Sequence, residues 1–174
     1  MLTGRKVVVE MKTALEKYAP KIIQNGSKKT KAKELMRAYR EEEEVLLEED
    51  KKYLEYSVAL MVLPYIFDEK PEFLYVLDKK EIVSPSPVLV LQCSTIKPDA
   101  ISVWAEGSQV CQGISSIWYG VILLMAVYYA HGIEYPPEAA NTLGFLQRYM
   151  MSIKKEDEGP KIPTPILRLL SALI

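Results

Sequence analysis

The feature that most restricts this chain is a run without charge. Residues 107–133, twenty-seven positions, contain no Asp, Glu, Lys or Arg. About 20 apolar residues suffice to cross a bilayer, so the first choice is between a membrane span at 114–131 and a helix buried in a core. The front of the window, GSQVCQGISS, is polar and turn-like. The dense part, residues 117–130, is 14 long, and runs of about 10–14 are more often core helices. It also holds Tyr119, Tyr128 and Tyr129, a residue type that prefers the interface to the bilayer centre. A buried helix is therefore the expected solution. A helix apolar all round needs cover on several sides.

The rest of the 174 residues must supply that cover, and a chain this long can bury a core without disulfides or metals. Its net charge of −1 hides a sharp split. Residues 1–40 hold eleven Lys/Arg against three Glu, and residues 41–50 hold seven acids and no base. Such a split fits either a nucleic-acid-binding arm or two solvated helix segments that offset each other. The solvated reading is the plainer one. Two cysteines, Cys93 and Cys111, lie in apolar surroundings without a disulfide framework. Both are expected to be buried, in a reducing, intracellular compartment, cytoplasmic or nuclear. The first thirty residues hold no long apolar run, so no signal peptide is expected.

A pass along the chain predicts one α+β domain over 1–174. Residues 1–6 read as a frayed end. From 7 to 24, Met11, Ala14, Leu15, Tyr18, Ile22 and Ile23 fall on one helical face. Pro20 predicts a kink or break inside it. Asn25-Gly26-Ser27 ends it. Residues 28–63 read as mostly helical, with a break near Glu41–Glu44. From Leu63-Pro64 the pattern changes, and 64–112 read as β-rich. "YIF", "EFLYVLD" and "SPVLVLQCS" are short strand-like runs, and AISVWAEGSQVCQG (100–113) reads as a hairpin around Glu106-Gly107-Ser108. A mostly antiparallel sheet is expected. Residues 114–153 read as a helical hairpin turning at Gly132 and Tyr135-Pro136-Pro137. In it Leu143, Leu146 and Met150 should pack against Ile122, Met125 and the ring of Tyr129. A charged linker, 154–165, and a short helix, 166–174, complete the chain.

The chemistry-bearing residues are sparse. His131, the sole histidine, precedes a helix-ending glycine, where a capping role is expected. Two cysteines and one histidine match no zinc spacing. No phosphate-cradling glycine motif occurs. Asp68, Asp78, Asp99 and Glu106 fall at turns, as surface acids do. No catalytic residue, metal site or cofactor site is expected. The one basic patch is Lys28, Lys29, Lys31, Lys33, Arg37 and Arg40. On a helix these residues should spread around the axis, and no aromatic interleaves for base stacking.

The segment VWAEGSQVCQGISS…GVILLMAVYYAHGIEYPPEAANTLGFLQRYMMSI resembles the C-terminal part of a set of fish proteins, the sterile alpha motif domain-containing protein 3-like family. The matches are Glu106-Gly107, Tyr128-Tyr129, Tyr135-Pro136 and Phe145-Leu146-Gln147-Arg148. Upstream, ALEKYAPKII and ALMVLPYIF are similar to two further segments of that family. The sterile alpha motif itself is absent from these residues, so the chain would correspond to the tail or to a short relative. The resemblance implies no catalytic residues and hints at mobile-element expansion. The resulting expectation is a non-enzymatic protein-interaction module, with an unknown protein or a second copy as partner. The alternatives are an accessory nucleic-acid-binding domain of mobile-element origin, contacting nucleic acid through the basic patch, and a membrane-associated protein.

Overall fold

A computed structural model describes residues 4–154 and 161–174 of the chain. Its first third is helical. Helix α1 (Gly4–Gly26) buries Val7, Met11, Ala14, Leu15, Ala19 and Ile22, the stripe that its spacing predicts. The helix is already formed at Gly4, so residues 4–6 do not fray as expected, and residues 1–3 of that expected end lie outside the described residues. Pro20 does not break it. Pro20 is exposed, so the Glu16 carbonyl that loses its N–H partner sits on the solvent side. The buried residues on either side of it keep the helix on one path.

A single 3₁₀ turn (Thr30–Ala32) leads into α2 (Lys33–Val45), which buries Leu35, Met36 and Tyr39. The expected break near Glu41–Glu44 falls later. Leu46 and Leu47 are extended, with ψ of 152° and 151°. Glutamates are good helix formers, so α2 runs through them. Helix α3 (Glu48–Ile66) then starts with Glu48, Glu49 and Asp50 in its first turn, where acids favour the helix dipole. It passes through Pro64, and Tyr65 and Ile66 are helical rather than strand. Pro64 lies in the last turn, so the lost backbone bond costs little continuity.

The sheet follows: β1 (Tyr75–Val76), β2 (Val88–Leu91), β3 (Ile101–Ala105) and β4 (Ser108–Cys111), in that spatial order. β1 and β2 are parallel, and the other two pairings are antiparallel. The fold is α+β with a small, mostly antiparallel mixed sheet. Side chains alternate as strand geometry requires. Leu89, Leu91, Ile101 and Val103 join the main core, whereas Val76, Val88 and Val90 form a small cluster with Ile82 and Trp104. Between β3 and β4, Glu106 and Gly107 both take positive φ (52° and 74°). That is the turn whose twist suits a two-residue hairpin, and glycine adopts it without a steric penalty.

Helix α4 (Ile117–Ala130) is capped by Ser116, whose hydroxyl accepts from the Tyr119 N–H at 3.4 Å. It ends at His131, and Gly132 (φ 59°) lets the Ile133 N–H reach back to the Tyr128 carbonyl at 3.0 Å. A one-turn segment (Pro137–Ala139) precedes α5 (Ala140–Phe145), and a wide π turn (Leu146–Met150) extends it. Glu69 caps α5 from a distant part of the chain. Its carboxylate accepts from the N–H groups of Asn141 (2.9 Å) and Thr142 (2.8 Å) and from the Thr142 hydroxyl (2.8 Å). Helix α6 (Thr164–Leu173) begins two residues before the expected 166. Half of the expected linker, 155–160, lies outside the described residues.

Residues 56–64 of α3 are buried without interruption and form the centre of the core. α3 as a whole touches α1, α2, α4 and α5, while α4 lies on β2 and β3 and against α3 and α1. The turn after α4 is where a helical hairpin needs it, but the packing differs from the expectation. α5 rests chiefly on α3 and α6, and the π turn rests on α1. Leu143, Leu146 and Met150 are fully buried, but Tyr129 is 62% exposed and does not cover them. The link back to α4 is aromatic. Tyr135 meets Tyr128 edge-on at 5.2 Å and donates its hydroxyl to Gln147 Oε1 at 2.6 Å.

Candidate functional site

Two surfaces stand out, and each arises from a helix face left uncovered. The first is basic. In α2 the buried side is Leu35, Met36 and Tyr39, which leaves Lys33, Arg37 and Arg40 outside. Those three stand at i, i+4 and i+7, one face of a helix rather than a spread around it. Residues 27–30 fold over the start of that face. The result is a cleft of about 460 Å³ bordered by Lys28, Lys29, Lys33, Arg37 and Arg40, with Met36 on its floor. Of the six basic residues singled out in the sequence, five meet here, and Lys31 does not line the cleft. Lys29 pairs with Asp68 at 3.3 Å, and Arg37 pairs with Glu34 at 2.7 Å and Glu41 at 3.9 Å.

The second surface is apolar, and no sequence expectation pointed to it. The sheet and α3 take two sides of α4, and one side remains. Tyr119, Leu123, Ala126 and Tyr129 reach the surface there. Across from them stands the start of α1. The groove between holds about 520 Å³ and is lined by α1 residues including Val7 and Val8, by α4 residues including Ile122, Met125 and Tyr129, and by Met151 and Ile153. Among the described residues, Arg5 is its one charged lining residue. The first turn of α1 carries no acid, so Arg5 and Lys6 add to the positive end of the helix dipole instead of offsetting it. In the sequence, α4 is apolar on every side, so nothing local marks which face stays open.

The remaining candidates do not converge. Asp68 pairs with Lys29, Asp78 accepts from the Lys80 N–H at 2.9 Å, and Glu106 forms the hairpin turn. Among the described residues no three His, Cys, Asp or Glu side chains gather as metal ligands. The expectation of two buried cysteines is overturned: Cys93 is exposed and Cys111 is half-buried, both as free thiols. Cys93 sits in a turn beyond β2 with φ of 72°, away from the core, and Cys111 ends an edge strand, where it packs against the core but stays half-buried despite apolar neighbours in sequence. A hydrogen bond to Asp99, reinforced by its charge, holds the Cys93 thiol above its ordinary pKa. That favours the thiol over the reactive thiolate. His131 caps α4, as its place before glycine predicts.

A polar depression of about 370 Å³ lies on the outer face of the sheet, beside Trp104, Gln92, Gln109 and Gln112. Lys79 stands over the Trp104 ring, 5.7 Å from its centroid, and occupies the face a ligand would stack on. Among the described residues no helix is long and apolar enough to cross a membrane. No family model, no curated protein and no solved structure matches the chain.

Proposed function

We propose that this chain is a non-enzymatic protein-interaction module whose docking surface is the groove between α1 and α4. Its occupant is an amphipathic helix of a partner protein, apolar along one face and acidic at one end. The observation that carries this reading is the apolar groove, whose charge among the described residues is the positive end at Arg5. Helix-in-groove recognition uses anchors at i, i+4 and i+7, and a carboxylate beside Arg5 and the start of α1 would meet both charge and dipole. Two free thiols fit a reducing intracellular compartment. The resemblance to the fish family points the same way, because it brings no catalytic residues with it.

The test is selection of displayed helical peptides on the intact protein, followed by mapping of the bound peptides by amide chemical shifts. The expected winners carry an apolar stripe and a terminal acid, shift Leu123 and Tyr129, and lose binding to the Leu123→Asp variant. Peptides that map elsewhere, or that ignore Leu123→Asp, would overturn the proposal. A concentration-dependent dimer abolished by Leu123→Asp would assign the groove to a second copy instead.

A further inference from the structure

The basic cleft carries ligand chemistry of its own, independent of the groove. Its five cations are not equivalent. Lys29 and Arg37 are held by acids, but among the described residues Lys28, Lys33 and Arg40 take part in no ion pair. Elsewhere on the surface Lys51, Lys52 and Lys97 each find a glutamate. Three unpaired cations around one cleft raise the local potential and attract an anion. The acids of the lining, Glu41 and Glu44, come later in α2, and Glu41 is already taken by Arg37. The positive end is therefore the end formed by residues 27–33.

The spacing restricts the anion. At 1.5 Å of rise per residue, Lys33 and Arg40 lie about 10 Å apart along the axis. Several linked phosphoryl groups match that span better than a single phosphate, which would need both side chains to bend toward each other. Arginine offers phosphate a planar fork and lysine a mobile point charge, and this cleft mixes the two. Its volume of about 460 Å³ suits a small ligand, since such sites run from about 300 to 1,000 Å³. No aromatic residue lines it, so it lacks the stacking platform on which single-stranded nucleic acid binding relies. We propose that the cleft binds a linear polyphosphate group through Lys28, Lys33 and Arg40, with Arg37 positioned by Glu34 on the same face.

Calorimetric titration of the intact protein with sodium tripolyphosphate tests this. Saturable binding is expected, weakened about tenfold or more when Lys28, Lys33 and Arg40 are all changed to alanine. All three are exposed, so the melting temperature should not move. Lys31→Ala removes the same charge from the same segment but outside the cleft, and should leave binding within about twofold, as a distant screened charge does. No saturable binding, or an equal loss in Lys31→Ala, would overturn the proposal. An oligothymidylate that binds more tightly than tripolyphosphate, and is lost in the triple variant, would also overturn it and assign the cleft to a nucleic-acid strand.

Discussion

Helices α3 and α4 make an instructive pair. α4 has no charged residue at all, yet Tyr119, Ala126, Tyr129 and Ala130 are exposed. α3 opens with EEDKK, yet its residues 56–64 are buried in succession. Apolar content therefore does not set depth. What sets it is how many layers fall on a segment. α3 packs against α1, α2, α4 and α5, while α4 is covered by the sheet on one side and by α3 and α1 on others. The face left over on α4 is the proposed docking groove.

The comparison is broken most directly by truncating one leucine in each helix. Leu60 in α3 is fully buried, and Leu60→Ala should cost about 2–5 kcal/mol in urea unfolding. Leu123 in α4 is half-buried, and Leu123→Ala should cost less than half as much. Equal costs would mean that α4 is as deep as α3. The next effect sharpens the picture of α3. A Cβ on Gly26 would collide with the Val62 side chain, so Gly26→Ala should cost about 1–3 kcal/mol by overpacking. Adding Val62→Ala should cost less in that background than alone. Simple additivity would show that α1 and α3 do not meet there.

A smaller effect separates the helices by pH. Burial pushes the Tyr128 hydroxyl in α4 up to about 12, from an ordinary value of 10.0. The folded state then holds this proton more tightly than the unfolded state. Its contribution is complete below pH 10 and is lost as pH rises from there to about 12. Tyr39 and Tyr75 are shifted the same way by burial, so Tyr128→Phe should flatten the alkaline fall in melting temperature without abolishing it. An unchanged slope would mean that Tyr128 ionises freely. The smallest change belongs to α3. The Tyr56 hydroxyl is buried with Lys52 and Glu16 beside it but without a well-formed hydrogen bond among the described residues. Tyr56→Phe should therefore stay within about 0.5 kcal/mol of the parent or gain slightly, because no bond is lost. A loss of more than about 1 kcal/mol would reveal a partner for that hydroxyl.

Much of this architecture is legible in the chain. The stripe of α1, the β-branched strand run of β2, the Glu106-Gly107 turn and the Gly132 stop all obey local rules. The two prolines escape the local rule, because it weighs one lost backbone bond and not the packing around it. Pro20 faces solvent, and Pro64 stands near a helix end that tertiary contacts fix. The cysteines depart from expectation for a related reason: apolar neighbours in sequence do not guarantee burial at a sheet edge. For the basic cleft, the spacing of Lys33, Arg37 and Arg40 is visible in the sequence. The fold of residues 27–30 over them is not, because it depends on where α1 ends. The groove has no local signal, since a uniformly apolar helix does not announce which side its neighbours will leave bare.

The π turn at Leu146–Met150 has a consequence for how this chain can tolerate changes in length. A π turn is an α-helix with one extra residue in the loop of backbone. Here the extra residue lets Leu146, Gln147 and Met150 all be buried, and Met151 and Ile153 turn inward after them. Removing Tyr149 alone would restore an ordinary helix and satisfy every local preference. It would also rotate residues 150–153 by about 100°, turning Met150, Met151 and Ile153 away from their sites and taking two walls from the groove. A one-residue deletion that improves the helix should therefore lower the melting temperature, whereas replacing Tyr149 with leucine, which keeps the count, should be tolerated. The segment is a place where the number of residues matters more than their identity.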